Sequence, residues 1–298
     1  MDKSIVKLLC EVFFKEMKEM KKLLLMAVVL FGMVAPVLAQ EGDLHGDVGI
    51  TYDSLYVWRG IVVYGADSAT HSFIDLDLFG SGFNLETIYH RANGGGNELG
   101  QRFDYSLYYA GAYEPQETYA TMYKVGYRYF NFPQMSAVHS DQCIDLQEIF
   151  AGVAFPKLLG VKGLVPGYVL LKTWPSKDDT VVGGANPNHG TYAGWAHVFM
   201  LDYALPVAGL TTETPEQVLN FHLETVYNAG VDPRPAGGYT DSDWTHVMFG
   251  VSTDFDLGNN LIFTPGLNYQ ITMEDDPATG VSPNHDISWA SLTVKYKF

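Results

Sequence analysis

The side chains of this chain that could do chemistry are mostly charges, and they recur with a spacing of two. Asp47, Asp53, Asp75, Asp77, Glu86, Asp104, Glu148, Asp202, Glu224 and Asp254 each alternate with apolar or aromatic neighbours. Arg59, Arg102, Lys124, Arg128, Lys295 and Lys297 do the same. A period of two belongs to a β-strand, whose successive side chains point to opposite faces. Gathered on the inner face of a curved sheet, these charges would line water and select solutes by sign. The first three strands carry acids, and the next two carry Arg102, Lys124 and Arg128. Two readings follow: an acidic wall facing a basic one, whose transverse field orients polar solutes, or a salt-bridged plug.

Other chemistries find less support. His189, His246 and His285 fall in or near long polar segments, but no Gly-x-Ser-x-Gly nucleophile motif accompanies them. Asp178-Asp179, Asp241 with Asp243, and Glu274-Asp275-Asp276 offer oxygen ligands for hard cations. None has the spacing of a calcium loop, so no metal site is assigned. Gly94-Gly95-Gly96 lacks the Lys-Ser/Thr of a phosphate cradle, and no cofactor is expected. The net charge of −16 argues against nucleic acid, which needs a basic stripe.

The elements that must position the charges are strands. In 287–298, Ala290, Leu292, Val294, Tyr296 and Phe298 share one face, with Trp289, Ser291, Thr293, Lys295 and Lys297 on the other. Segments 260–273, 243–256 and 219–228 behave alike. So do those around Val48–Trp58, Ile74–Leu78, Phe83–His90, Arg102–Tyr109, Tyr119–Tyr129 and Trp195–Tyr203. In 143–155 the apolar parity slips between Leu146 and Ile149, which predicts a bulge. In 164–174 the outward face stays open, because Lys172 shares parity with Tyr168 and Leu170. Pro166 and Pro265 each remove a ladder donor, so a strand end or bulge is expected at both.

These segments total twelve. Short links (Gly80–Gly82, Glu114–Thr118, Leu257–Asn259) alternate with long polar ones: Ile61–Ala69, Ala92–Gly100, Pro133–Gln142, Pro175–Gly190, Ala229–Ser242 and Glu274–Asp286. Pro156–Gly163 and Pro206–Glu216 are longer than ideal for turns. Residues Met20–Ala39 read as an export signal: Lys21 and Lys22, an apolar core, and Val37-Leu38-Ala39 before a cut. Cys143 is then the sole mature cysteine, so no intrachain disulfide is expected. An exported, aromatic-rich, lysine-poor chain with no apolar run long enough for a membrane helix fits a transmembrane barrel. The main fold alternative is a soluble β-sandwich, with Phe249, Tyr269 and Tyr296 inside a core. An even strand number brings the ends together, placing Lys295 and Lys297 beside His45 and Asp47 for ion pairing.

Three pieces resemble the TorF-type porins, a family of bacterial outer-membrane barrels. They are Tyr56-Val57-Trp58-Arg59-Gly60 after Ser54, Val125-Gly126-Tyr127-Arg128-Tyr129 running on to Pro133, and Glu148-Ile149-Phe150-Ala151-Gly152-Val153. They cover about a tenth of the chain, and Ile61–Tyr64 departs from the polar residues expected there. The resemblance implies passive transport through a pore. On the strand reading, Tyr56 and Trp58 belong to an outer aromatic girdle. Arg59 then ends the first strand, where it lines the pore mouth or holds loop carbonyls.

The expectation is therefore an export segment over 1–39 and an all-β, closed antiparallel transmembrane barrel of about twelve strands over 40–298. Its place is the outer membrane of a Gram-negative-type bacterium. The leading function is a porin-like channel for small polar solutes or ions, and the acid excess hints at cation preference. The pore-lining candidates are Asp53, Arg59, Asp75, Asp77, Glu86, Arg102, Asp104, Lys124, Arg128, Glu148 and Glu224. The partners are membrane lipid, the solutes, and the barrel-assembly machinery that reads Phe298. A plugged structural or adhesive barrel is the competing reading, and a lipid-modifying enzyme the weakest.

Overall fold

The computed structural model describes residues 44–97, 100–133, 145–176, 194–211, 214–230, 242–273 and 286–298. The expected leader 20–39, Cys143, His189, His285, Asp178, Asp179, Asp241 and Glu274–Asp276 lie outside the described residues. The described chain forms one closed antiparallel barrel. Its strands are β1 (His45–Asp53), β2 (Ala69–Asp77), β3 (Phe83–Ala92), β4 (Arg102–Tyr113), β5 (Thr121–Asn131) and β6 (Leu146–Ala154). They continue as β7 (Leu164–Pro175), β8 (Gly194–Thr211), β9 (Thr214–Ala229), β10 (Ser242–Thr253, prolonged by Phe255–Asp256), β11 (Leu261–Thr272) and β12 (Ile287–Lys297). Each strand pairs with the next, and β12 returns to β1 with Asp47 opposite Lys297 and Val48 opposite Tyr296. The seam is tied off by reciprocal 3.0 Å bonds between the backbones of Gly46 and Phe298. Closure gives every one of the twelve strands a partner on each side, which a sheet needs if it is to cross hydrocarbon.

Side-chain rhythm sets the two faces. Val48, Ile50, Tyr52, Tyr105, Phe249 and Leu292 stand exposed on the outside. Asp47, Thr51, Asp75, Glu86, Asp104 and Lys124 face inward with their strand parity. Large apolar side chains displayed on strand after strand form a patch far beyond what soluble monomers carry, a surface suited to lipid. No second sheet or helix layer covers them among the described residues.

The rim holding Gly46 and Phe298 is called lower here. Its turns over 78–82, 114–120 and 257–260 are short, and the upper links are longer. The link expected over Pro206–Glu216 is mostly strand. β8 and β9 continue through Pro206↔Val218 to Thr211↔Thr214, past their neighbours on both sides. The bulge expected in β6 is absent, since its ladders to β5 and β7 run without a shift. Leu146 and Phe150 instead point inward beside Glu148, which alone explains the slipped apolar pattern. In β7, Leu171 and Thr173 take the buried parity, leaving Lys172 outside near the Trp195 ring at 5.1 Å. Pro166 is the third residue of β7. Pro265 lies within β11 where pairing with β10 lapses at Asp254, and the register resumes unchanged at Phe255↔Phe263.

The largest departure follows β1. The strand stops at Asp53, and residues 54–68 turn into the barrel instead of rising from it. Val57–Trp58 and Ile61–Val62 form a small hairpin, pairing Trp58 with Ile61. Arg59 (φ 52°) and Gly60 (φ 83°) make its tip. Two successive positive φ angles match the right-handed strand twist in a two-residue hairpin turn, and glycine takes the second without strain. Ile61, which breaks the expected polar pattern, is the return strand of this inner hairpin.

Candidate functional site: the lumen and its inner hairpin

Two positions expected on the outer aromatic girdle lie inside. Tyr56 is buried, its ring 5.2 Å from that of His90 and 4.5 Å from that of His71. With Tyr64, Ala69 and Ala92 it forms a small core under the loop, and Tyr64 Oη donates to the Gly100 carbonyl at 3.0 Å. Trp58 packs edge-on against inward Phe130 at 5.6 Å, and the Arg102 guanidinium lies 4.4 Å from its ring centre. Aromatic alternation simply ran past the end of β1 into the hairpin.

Arg59 reaches the far wall. It pairs with Glu148 on β6, a fully buried carboxylate, and its Nη1 donates to Thr173 Oγ1 on β7 at 3.3 Å. Thr173 Oγ1 in turn donates to Glu148 Oε2 at 2.9 Å. Beside Arg59, the Gly60 carbonyl accepts from Gln270 Nε2 on β11 at 2.8 Å. His246 of β10 lies so close that a Cβ at Gly60 would stand 2.5 Å from Nδ1. The hairpin thus leaves β1 and touches β6, β7, β10 and β11, so it bars the upper lumen. Neither expected role of Arg59, pore mouth or carbonyl clamp, describes this; it is the latch of a crossbar.

Below and beside the hairpin, the first six strands brace themselves. Arg102 donates to both oxygens of Asp104, at 2.6 and 2.9 Å, and to Tyr56 Oη at 2.9 Å. From Asp104 a row runs through His90 (3.1 Å) and His71 (2.8 Å) to Asp53 (3.1 Å). Lower down, Tyr108 Oη donates to the Asp75 carboxylate at 2.7 Å, while Lys124 sits 3.5 Å from the Tyr108 ring centre. Arg128 donates to Ser106 at 2.9 Å and lies 3.5 Å from Glu86 and 3.7 Å from Glu148. Asp77 caps the lower turn, accepting from Gly80 N–H at 2.9 Å.

These contacts correct the picture of opposed acidic and basic walls. Glu86 and Arg128 sit two strands apart, and Arg102 and Asp104 share a strand, so Arg59, Arg102 and Arg128 each meet a carboxylate at contact distance, while Asp75 and Lys124 meet Tyr108 between them. Opposite charges at 3 to 4 Å cancel most of their far field, and no strong transverse field remains on this side. Lys295 pairs with Asp47 at 3.7 Å across the seam, as expected, whereas no ion pair of Lys297 occurs among the described residues.

The other side of the lumen is open. A cavity of about 530 Å³ lies against β7 to β12, lined mainly by small or uncharged polar side chains, with Asp202 and His222 its charged or titratable pair. Glu224 stands above it, 3.4 Å from His246 and 3.8 Å from His222. Among the described residues no group of histidines, cysteines and carboxylates has the geometry of a metal site.

All eleven candidates thus sit on the lumen side or on the hairpin within it. Arg102, Asp104 and Glu148 are buried there in ion pairs, and Glu224 lies nearest the open side. Sequence reasoning missed His71, Tyr108, Gln270 and the neutral cavity wall. His71 was lost because β2 starts five residues before Ile74. The others are polar residues of ordinary parity, with no signal in spacing alone. The three pieces that resemble TorF-type porins converge here: Arg59 from the first, Arg128 from the second and Glu148 from the third share one ion-paired cluster.

No family model matches the sequence, and no curated protein matches it. Among solved structures, the NanC porin superposes with a TM-score of 0.50 at 9% identity, over 85% of this chain and 100% of that one. The KdgM porin gives 0.44 at 8% identity, over 85% and 99%. An outer-membrane channel from Pseudomonas putida F1 gives 0.45 at 13%, over 86% and 96%. Likeness at such identities speaks to the barrel fold alone.

Proposed function

We propose that the protein is an outer-membrane channel of porin type, passing small polar solutes or ions by diffusion. The observation that carries this reading is the pairing of an apolar exterior with a polar, partly empty lumen inside a closed twelve-strand barrel. The three TorF-like pieces support the same reading, since they supply Arg59, Arg128 and Glu148 to one cluster inside the barrel. Catalysis is not assigned to any residue. Phe298, closing the seam on the outward face, is the residue the barrel-assembly machinery would engage, and the exposed apolar rows meet lipid.

Planar-bilayer recording of the refolded full chain tests this. Discrete ion currents are expected. Silence in both the wild type and an Arg59→Ala variant would overturn the channel. The second reading, a plugged structural barrel, is favoured by one observation: the hairpin reaches the opposite wall. It predicts silence in the wild type and currents once the latch is cut.

A further inference from the structure

The open side of the lumen has a chemistry of its own. Asn220 of β9, Ser252 of β10, Asn268 of β11 and Ser291 of β12 all turn toward the 530 Å³ cavity. Their side chains make no hydrogen bond to any described residue and are only partly exposed. Amides and hydroxyls both donate and accept, so four such groups offer paired donor and acceptor positions on neighbouring strands. On β8, Asp202 completes the set. His222 Nδ1 holds its Oδ1 at 2.6 Å, and its second oxygen faces no described partner, with the side chain half exposed. No lysine or arginine lines the cavity.

We propose that this cavity is a recognition subsite for an uncharged, hydroxyl-rich solute such as a sugar or polyol, with Asp202 accepting its hydroxyls. The inference deepens the channel reading and rests on it for the route by which solute arrives. A carboxylate is an acceptor only, so it complements O–H donors. The same carboxylate repels an acidic solute, for which the wall holds no lysine or arginine. The remaining groups suit alternating hydroxyls, which donate and accept in turn. The volume falls within the usual range for small-molecule sites, about 300 to 1,000 Å³. His222 is a positioning residue, fixing the Asp202 rotamer.

The test uses maltose as the neutral probe and glucuronate as the acidic one. Each is applied to the full-length refolded protein in bilayers and titrated calorimetrically in micelles. Maltose is expected to interrupt the ion current and to bind in micelles, while glucuronate at the same concentration does neither. Asp202→Ala should weaken maltose binding about tenfold, the usual effect of losing hydrogen bonds to a charged acceptor. Ser291→Val, which removes one hydroxyl on β12, guards against a misfolded Asp202 variant; heat-modifiable migration reports folding of both. The subsite is overturned if maltose does not bind, if glucuronate binds as well as maltose, or if both variants keep wild-type affinity. Maltose binding without current would sink the channel and keep the site, and current without maltose binding would do the reverse.

Discussion

Cutting the Arg59 latch should release the hairpin from the far wall without unfolding the barrel. Glu148 is fully buried, and its close partners are Arg59, Thr173 at 2.9 Å and Arg128 at 3.7 Å. Removing one partner of a buried pair typically costs about 3–5 kcal/mol, because the other charge is stranded. Here Arg128 stays within reach and Arg59 itself is slightly exposed, so about 2–3 kcal/mol is the appropriate loss for Arg59→Ala. The penalty falls on the docked state alone: an undocked hairpin leaves Glu148 open to water. At 1.4 kcal/mol per factor of ten, the docked population relative to the undocked falls about 30- to 150-fold. Single-channel recording reads this as larger or longer openings than the wild type shows. Arg59→Lys, which keeps the charge but loses the planar fork, should fall between the two. The reasoning fails if Arg59→Ala gives the conductance and dwell times of the wild type while circular dichroism shows an intact barrel. In that case the 2.8 Å bond from Gln270 to the Gly60 carbonyl and the packing of Tyr56 and Trp58 would suffice to hold the hairpin.

Three further outcomes test the architecture. Gly126→Ala would set a methyl 2.6 Å from Tyr108 Cβ and 2.7 Å from the Leu107 carbonyl, so a loss of about 2 kcal/mol is expected in urea unfolding from micelles. Tyr108→Phe leaves Asp75 without its 2.7 Å donor and should lower stability by about 1–2 kcal/mol in the same assay, while leaving the hairpin docked. Leu267→Arg, on the outward face midway along β11 at 63% exposure, should reduce insertion into vesicles by about 2–4 kcal/mol, whereas Asn268→Arg, one residue on but inside, should insert normally. Equal insertion of the last two would mean the outward rows do not meet lipid.

How far the fold could be read from residues depended on what each strand faces. β11 and β12 have lipid on one side and the open cavity on the other, and β4 has lipid on one side and a buried polar network on the other, so apolar and polar side chains alternate cleanly and the reading held. β6 has lipid outside but a dry interior, where Leu146, Glu148 and Phe150 are all buried; alternation breaks there without any bulge. Tyr56 and Trp58 show the reverse failure. Their spacing continues the rhythm of β1, and period alone cannot tell a strand that runs on from a chain that bends inward at Ser54. The Arg59-Gly60 pair was the missed signal, because a two-residue turn with glycine second, flanked by aromatic and β-branched residues, is a hairpin signature. The ladders of charge were legible as residues but not as partners. Parity says which face a side chain takes, and only the register, Arg128 opposite both Ser106 and Glu148, says whom it meets.

The lopsided lumen has a consequence for how this protein tolerates change. One half-cylinder is filled with ion-paired and hydrogen-bonded groups, and the cavity against the other is lined by no lysine or arginine and is partly vacant. Substitutions should therefore sort by longitude. Those on the inner faces of β2 to β6 would be felt as lost expression or melting temperature, with little influence on which molecules get through. Those on β8 to β12 would leave yield untouched and alter permeation. A selection for new cargo could draw freely on the second sector while the first remained fixed, so specificity could drift without dismantling the scaffold that supports it.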